Sequence, residues 1–160
     1  MKKQLVTLII LLLAVAIVVV YFVTQQSPTV LPDEQIVENV IPAEEPYYSN
    51  TDKNEIVVSF PHTGSVISSP LTITGQARGT WFFEATAPVS LVNWDGLIIA
   101  EGYIMTTEDW MTTEFVNFVG TLEFTKPDYK NNGALILQAD NPSDLPEYDR
   151  AVEIPIIFAE

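Results

Sequence analysis

Cysteine is absent from this 160-residue sequence, histidine occurs once, and only seven Lys or Arg residues stand against 21 Asp or Glu. Without cysteine the chain can form no disulfide, thiolate metal site, cysteine nucleophile or lipidated N-terminal cysteine. A single histidine argues further against a zinc site, so no metal and no cofactor is predicted. The few basic residues are dispersed, and phosphate binding needs clustered Lys and Arg, so no nucleic-acid partner is expected.

The charge is distributed unevenly along the chain. Every acidic residue lies after position 26, and residues 27–160 hold 21 acidic against five basic residues, a formal charge of −16. A surface of this charge repels copies of itself and keeps the protein soluble, and it fits exposure outside a cell.

Residues 5–23 form an apolar run in which only Thr7 is polar and none is charged. As a helix this run would rise about 28 Å, close to the roughly 30 Å hydrocarbon thickness of a bilayer. Because Lys2 and Lys3 precede it and the next base comes far downstream, the positive-inside rule puts the N-terminus in the cytoplasm. Residues 1–26 are therefore predicted to be a membrane anchor, with the C-terminal part outside the cytoplasm.

A cleaved signal peptide is the alternative interpretation of this segment. Signal peptides usually have an apolar core of about 7–15 residues, followed by a small-x-small cleavage site. The run here is longer, and it ends in Tyr21-Phe22-Val23-Thr24 without such a site. Both interpretations export the remainder of the chain, and the anchor places the protein at the cell membrane as a single-pass protein.

Residues 27–55 combine seven acidic residues with one lysine and contain four prolines. Proline removes a backbone donor and disfavours helix in the preceding residue, and like charges repel one another. The stretch is therefore predicted to be a flexible, disordered, acidic linker. The alternative is a binding motif, because Ile36, Val37, Val40 and Ile41 are apolar residues at helical spacing.

Residues 56–160 consist of short β-type runs separated by turn residues. Residues 71–78 alternate apolar and polar side chains, the period of a strand with one buried face. Asp95-Gly96 between two apolar runs indicates a hairpin, and Pro155 indicates an edge position or a bulge. With no amphipathic helix pattern, the fold class is predicted to be an all-β antiparallel sandwich. Its seven strands are expected at residues 56–60, 71–78, 83–93, 97–104, 115–124, 134–139 and 152–158.

The same domain carries a resemblance to a known family. The block SPLTITGQARGTWFFEA at 69–85 resembles the immunoglobulin-like domain of bacterial spore germination, and the similarity covers essentially all of residues 56–159. The resemblance implies a seven-stranded immunoglobulin-like module of exported or envelope bacterial proteins, with no enzymatic activity associated with it. Further matching segments are PVxLVxxDG at 88–96, AEG at 100–102, GALIL at 133–137, DNPSxLPE at 140–147 and IPI at 154–156.

Arg78 and Glu84 are the first two candidate binding residues. Glu84 interrupts the apolar run around Phe83 and follows Arg78 closely. One interpretation is strand alternation that turns Glu84 outward and pairs it with Arg78 across a bend. The other is a polar group within an aromatic recognition surface. A glycosidase would need a second, opposed carboxylate, and no motif supplies one, so no enzyme is predicted.

Trp94 and Asp95 are the other two candidates, and both lie in the predicted hairpin loop. An exposed indole with a nearby carboxylate is typical of sugar-stacking and protein-binding sites. A loop tryptophan can also fold back over the end of a sandwich as a lid on the core, so both interpretations stay open. Trp81 and Trp110 are predicted to be core residues.

Two further features are weaker as sites. His62 has Ser65 close in sequence, but nothing resembles a nucleophile elbow, so a turn residue is expected. Residues 140–149 contain four acids and one Asn, which are oxygen ligands of the kind that bind Ca2+. This segment lacks EF-hand spacing and a central Gly and contains two prolines, so a stiff, solvated turn is predicted there.

An exported β-domain without a catalytic motif predicts a function in binding. We expect a membrane-anchored, extracytoplasmic, non-catalytic binding module of the bacterial cell envelope, which contacts another envelope protein or cell-wall glycan. The alternative is an accessory or adaptor subunit of a membrane-embedded assembly, in which the apolar helix itself contacts partner helices. The absence of a Gly-x-x-x-Gly pattern in residues 5–23 weakens that alternative.

Overall fold

The computed structural model describes residues 45–160, so the predicted anchor and most of the predicted linker lie outside the described residues. Two short 3-10 turns occur there, at Gly79–Trp81 and Pro146–Tyr148. In this part of the chain no helix is long and apolar enough to cross a membrane. The strands are β1 Tyr47–Ser49, β2 Ile56–Phe60, β3 Ser65–Ile67, β4 Leu71–Arg78, β5 Thr86–Asn93, β6 Ile98–Met105, β7 Phe115–Leu122, β8 Asn132–Gln138 and β9 Ala151–Phe158.

The strands follow one hydrogen-bonded path in the order β1, β9, β8, β5, β6, β7, β4, β2, and β3 pairs with β9 off this path. All these pairs are antiparallel except β3 with β9, which run parallel. Strand β6 pairs with β5 along most of its length but with β7 only at Ile104 and Met105. The path therefore passes between two layers at β6, with β2, β4 and β7 in one layer and the remaining strands in the other.

The core lies between these layers, because each layer buries one face. In β4 the residues Leu71, Ile73, Gly75 and Ala77 are buried and the residues between them are not, as the predicted period of two requires. Phe124 and Phe158 pack edge to face in this interior, with ring centroids 5.6 Å apart. No disulfide is available, so burial of such side chains, at roughly 2–3 kcal/mol for each large one, is what stabilises the domain.

The prediction of an all-β, mostly antiparallel fold is confirmed, but the prediction of seven strands is wrong. Strands β1 and β3 have three residues each and no long alternating pattern, and both are held by pairing with β9. Strand β1 also lies within the range that the sequence assigned to the linker, so the ordered sheet includes residues before 56.

Strand β9 changes partner at Pro155. Strand β1 pairs with its first three residues and β3 with its last three, and Pro155 lies between the two pairings. A proline has no N–H to donate, so it suits the place where neither neighbour is paired. Its carbonyl oxygen accepts a hydrogen bond from the Gly64 N–H at 2.8 Å. Strand β9 has neighbours on both sides and an unbroken register with β8, so the predicted edge position or bulge is not found, and Pro155 lies instead in the gap between β1 and β3.

Candidate functional site

The four candidate residues lie at opposite ends of the sandwich. Arg78 ends β4, and Glu84 precedes β5 at the same end, which is termed the Glu84 end. Trp94 and Asp95 follow β5 at the other end, termed the Trp94 end. Eight residues of β5, about 26 Å at 3.3 Å per residue, separate the two ends. The structure therefore does not unite these residues in one site.

At the Trp94 end, the β5–β6 hairpin is closed by Asn93. Its side-chain Oδ1 accepts hydrogen bonds from the N–H of Asp95 at 3.0 Å and of Leu97 at 2.9 Å. The Gly96 N–H donates to the Asn93 carbonyl oxygen at 3.0 Å, and Gly96 has a φ of 77°, which glycine adopts without strain. The predicted hairpin is confirmed, and its closed tip positions Trp94.

Trp94 contacts two residues of the β7–β8 connection. Its ring packs edge to face on Tyr129, with centroids 5.5 Å apart, and the Lys130 Nζ lies 3.9 Å from the centroid of the indole. Trp94 is 39% exposed and is absent from both the core and the half-buried side chains that pack against the core. The ring contacts of Trp94 with Tyr129 and Lys130 therefore favour the recognition interpretation over the lid. Trp94, Asp95, Tyr129 and Lys130 together are termed the Trp94 surface.

Sequence reasoning missed Tyr129 and Lys130 because only the tertiary fold brings the β7–β8 connection to the hairpin tip. The only sequence signal was an aromatic residue next to a basic residue in a polar loop. Such pairs are common in loops that have no function, so this pair did not identify a site. Leu97 and Ile98, which follow the hairpin tip, are 65% and 51% exposed. The Trp94 surface is therefore continuous along the chain with exposed aliphatic side chains.

At the Glu84 end, Arg78 does not form the expected pair with Glu84. Its Nε donates to the carbonyl oxygen of Asn54 at 2.9 Å and its Nη1 to that of Thr113 at 3.0 Å. The guanidinium also lies 4.4 Å from the ring centroid of Phe115. No ion pair joins Arg78 to Glu84, so that prediction is wrong. The donors of Arg78 tie loops of the sandwich together, which leaves Arg78 a structural residue in this conformation.

Glu84 lies in a tight turn and not in a strand. Phe83 and Thr86 exchange backbone hydrogen bonds of 3.0 and 3.1 Å, and the two residues between them, Glu84 and Ala85, have φ values of 52° and 64°. Two consecutive left-handed residues define a turn of type I′, which usually contains Asn-Gly. For residues with a Cβ this conformation costs about 1–2 kcal/mol each. The predicted strand start at 83 is therefore wrong by three residues.

The other predicted core tryptophans differ in burial. Trp81 is fully buried, as predicted, and its indole N–H has no hydrogen-bond partner. Trp110 is half-buried: it packs against the core and, edge to face, against the exposed Phe83, with centroids 6.2 Å apart. The Trp110 prediction therefore holds only in part.

The acidic segment 140–149 is held together by hydrogen bonds from the side-chain amide of Asn141. Asn141 Nδ2 donates to the Asp149 Oδ1 at 2.8 Å and to the Leu145 carbonyl oxygen at 3.0 Å. An amide N–H thus donates to one oxygen of this carboxylate. Among residues 45–160, no group of three or more His, Cys, Asp or Glu side chains is arranged to hold a metal ion.

His62 lies in a turn, as predicted. The His62 N–H donates to the Ser65 Oγ at 2.9 Å, and the Ser65 N–H donates back to the His62 carbonyl oxygen at 3.0 Å. The serine hydroxyl therefore accepts a backbone N–H and does not contact the imidazole as a nucleophile would.

This two-layer, mostly antiparallel β-sandwich has the architecture of the class of immunoglobulin-like domains. Within that class, the chain belongs to the family described as the immunoglobulin-like domain of bacterial spore germination, which matches residues 55–145. Domains of this family are generally non-catalytic. The match ends before β9, so it is shorter than the similarity seen in the sequence. Comparisons with curated proteins and with solved structures gave no match.

Proposed function

We propose that this protein is a membrane-anchored, extracytoplasmic, non-catalytic binding module that contacts another envelope protein through the Trp94 surface. The observation that carries this proposal is the exposed cluster in which Trp94 packs on Tyr129 under the Lys130 ammonium. Membership of an immunoglobulin-like family that is generally non-catalytic supports binding as the mode of action. The apolar run at residues 5–23 and the lysines before it support the anchor.

The composition of the cluster resembles an interface anchor. Tryptophan and tyrosine dominate the residues that contribute most to protein–protein affinity, because they bury a large area with few rotatable bonds. Here both rings are held by contacts with each other and with Lys130, so little side-chain entropy remains to be lost on binding. The exposed aliphatic side chains of Leu97 and Ile98 extend the apolar area that a partner would cover.

The position of Lys130 favours a protein over cell-wall glycan as the partner. A sugar that stacks on an aromatic residue needs an open ring face. One face of the Trp94 indole already carries the Lys130 ammonium, whose Nζ is 3.9 Å from the ring centroid. A protein partner can instead contact ring edges, the lysine and Asp95 together.

In-cell cross-linking tests the proposal with the full chain. We expect a covalent adduct of defined mass with one envelope protein, and we expect Trp94→Ala to abolish it. Tyr148→Ala is the control, because Tyr148 is an exposed aromatic residue at the other end of the sandwich, at 59% exposure. The control variant should form the adduct at the level of the unmodified protein.

Other outcomes would contradict the proposal. An adduct unchanged by Trp94→Ala would exclude the Trp94 surface, and Trp94-dependent retention on insoluble wall material would identify glycan. An adduct that depends on the native N-terminal helix but not on Trp94 would identify the adaptor function. Recovery of a fully soluble, shortened form on cell fractionation would exclude the anchor.

A further inference from the structure

A second exposed apolar surface lies at the Glu84 end. It consists of Phe83, Trp110 and Met111 and is termed the Trp110 patch. Phe83 and Trp110 pack edge to face, and Phe83 and Met111 are 43% and 78% exposed. Exposed apolar side chains that adjoin one another and are bordered by polar residues occur at interaction sites.

The backbone holds this patch in place on both sides. The carbonyl oxygens of Trp110 and Thr112 lie so close to Gly79 that a Cβ at that position would overlap them. The Gly79 N–H also donates to the Glu114 carbonyl oxygen at 3.0 Å. On the other side, Phe83 begins the strained turn that contains Glu84, and strain of this kind is concentrated at functional sites.

A shallow depression lies beside the Trp110 patch. Its volume is about 330 Å³, which is enough for one or two side chains of a partner. Trp110 and Met111 form part of its wall, so an apolar side chain that entered it would contact both. The remaining lining residues are Gly79, Thr80, Phe82, Thr112 and Thr113.

The border of the patch is acidic. Four exposed carboxylates lie within three residues of it in the chain, and none of them forms an ion pair within 4 Å. Arg78, the base at this end that contacts the same loop, already donates to two backbone carbonyls. Arg78 and Arg150 keep their positive charges at this end, but the four carboxylates outnumber them, so the border stays negative. The four carboxylates are Glu84, Glu108, Asp109 and Glu114.

Two of these carboxylates are fixed by hydrogen bonds. Glu108 Oε1 accepts from the Asn117 Nδ2 at 2.6 Å, and Asp109 Oδ1 accepts from the Met111 N–H at 3.1 Å. Neutral donors hold these groups in position without removing their charge. The apolar centre of the patch therefore has a negative border that is partly ordered before any partner binds.

We propose that the Trp110 patch is a second docking surface, which binds a basic segment of a partner protein carrying Lys or Arg around an apolar anchor side chain. The anchor enters the depression beside Trp110, and the basic side chains pair with the acidic border. An acidic protein or an anionic lipid surface would be repelled by the same border. Since the patch and the Trp94 surface lie at opposite ends, the domain can hold two partners at once.

A peptide titration tests this inference with the full chain in non-ionic detergent micelles. The probe is a short fluorescein-labelled peptide in which lysines surround leucines, and the same peptide with glutamates in place of lysines is its control. Fluorescence anisotropy should report binding of the lysine peptide alone. We expect Met111→Ser to weaken it about tenfold, or about 1.4 kcal/mol. Val66→Ser should change it by less than about threefold, because Val66 is an exposed apolar residue of β3, which pairs with the end of β9 away from the Glu84 end.

Because the whole domain is acidic, a charge-matched variant is needed. Replacing the four border carboxylates by amides should weaken binding about tenfold or more. As a control, amides replace the same number of exposed carboxylates outside residues 83–84 and 108–114. These replacements, at Glu101, Glu123, Asp128 and Glu160, should have an effect below about threefold.

Equal losses in the two charge variants would overturn the inference, as would equal losses in Met111→Ser and Val66→Ser or binding of the glutamate peptide. Trp94→Ala should leave peptide binding unchanged, so failure of the Trp94 proposal and failure of this one can be told apart. Unchanged circular dichroism in each variant ensures that lost binding does not report lost folding.

Discussion

Arg150 and Glu55 lie 95 residues apart in the chain and form an ion pair, with the Arg150 Nη1 3.0 Å from the Glu55 Oε2. It is the one ion pair within 4 Å in the described range 45–160. The Arg150 Nη2 also donates to the Thr80 carbonyl oxygen at 2.6 Å, and the guanidinium lies 5.7 Å from the ring centroid of the buried Trp81. One side chain thus connects three loops at the Glu84 end.

Arg150→Ala should therefore lower the free energy of unfolding by about 1–3 kcal/mol, because it leaves a backbone carbonyl and a partly buried carboxylate without their donor. Glu55→Gln should cost less than about 1 kcal/mol, since the Glu55 side chain is 37% exposed and solvent screens the pair. Urea denaturation measures both values. A loss in Glu55→Gln as large as in Arg150→Ala would mean that the ion pair, and not the carbonyl contact, dominates.

Ala85→Gly should raise the free energy of unfolding by about 0.5–1 kcal/mol. Ala85 has a φ of 64°, and glycine removes the Cβ strain of that conformation while adding freedom to the unfolded chain. Gly64→Ala is the control in the reverse direction, because it places a Cβ on a residue with a φ of 76°. No atom lies close to this Cβ, so only the backbone conformation is tested. This substitution should cost about 1 kcal/mol through the backbone alone. A thermal unfolding midpoint that falls in Ala85→Gly would contradict a strained turn.

Gly79→Ala should lower the free energy of unfolding by about 3 kcal/mol or more, because its Cβ would overlap backbone carbonyl oxygens that cannot move independently. Gly102→Ala is a suitable comparison. The nearest atom to a Cβ there is the Leu122 Cδ2 at 2.6 Å, at the end of a flexible side chain. We expect a smaller loss of about 1–2 kcal/mol in chemical denaturation. Similar losses in both variants would show that the 110–112 backbone can move away from Gly79.

Tyr48 should make the domain less stable at high pH. Burial raises the pKa of Tyr48 above 10.0, and the nearby carboxylates of Glu45 and Asp52 add to this shift. Below pH 10 both the folded and the unfolded chain carry a neutral Tyr48, so no stability is lost there. As the pH rises above 10 the unfolded chain ionises first, and stability falls until the folded pKa is passed.

Tyr48→Phe should reduce this alkaline loss in unfolding free energies measured from about pH 9 to about pH 11. Tyr103→Phe is the control, because Tyr103 is 59% exposed. If both variants keep the same alkaline slope as the unmodified protein, the loss comes from other groups and the assignment to Tyr48 fails.

The sequence predicted the long strands well because a period of two reports one buried face, and that period is local information. Strands β2 and β4 have the predicted bounds. Strand β5 begins at Thr86 and not at Phe83, because the polar–apolar alternation continues into a turn whose two left-handed residues are not glycines. The type of this turn is set by the backbone hydrogen bonds between Phe83 and Thr86. No residue of the turn is of a kind that predicts this turn type from the sequence.

The candidate sites were predicted less completely. Trp94 and Asp95 were identified from a hairpin loop, but Tyr129 and Lys130 reach them only through the tertiary fold. The pairing of Arg78 with Glu84 was wrong because proximity in sequence does not decide where a long side chain finds acceptors. Arg78 instead reaches two backbone carbonyls, Asn54 and Thr113, on separate loops.

By itself, the sequence determined the β architecture, the family, the closed hairpin at Gly96 and the acidity of the domain, because alternation, turn chemistry and charge are properties of neighbouring residues. The tertiary structure alone decided that β1 and β3 flank Pro155, that Trp94 is exposed under Lys130, and that Phe83 meets Trp110 within an acidic border. These relationships join residues distant in the chain. They exist only once burial of the core has set which loops share an end of the sandwich.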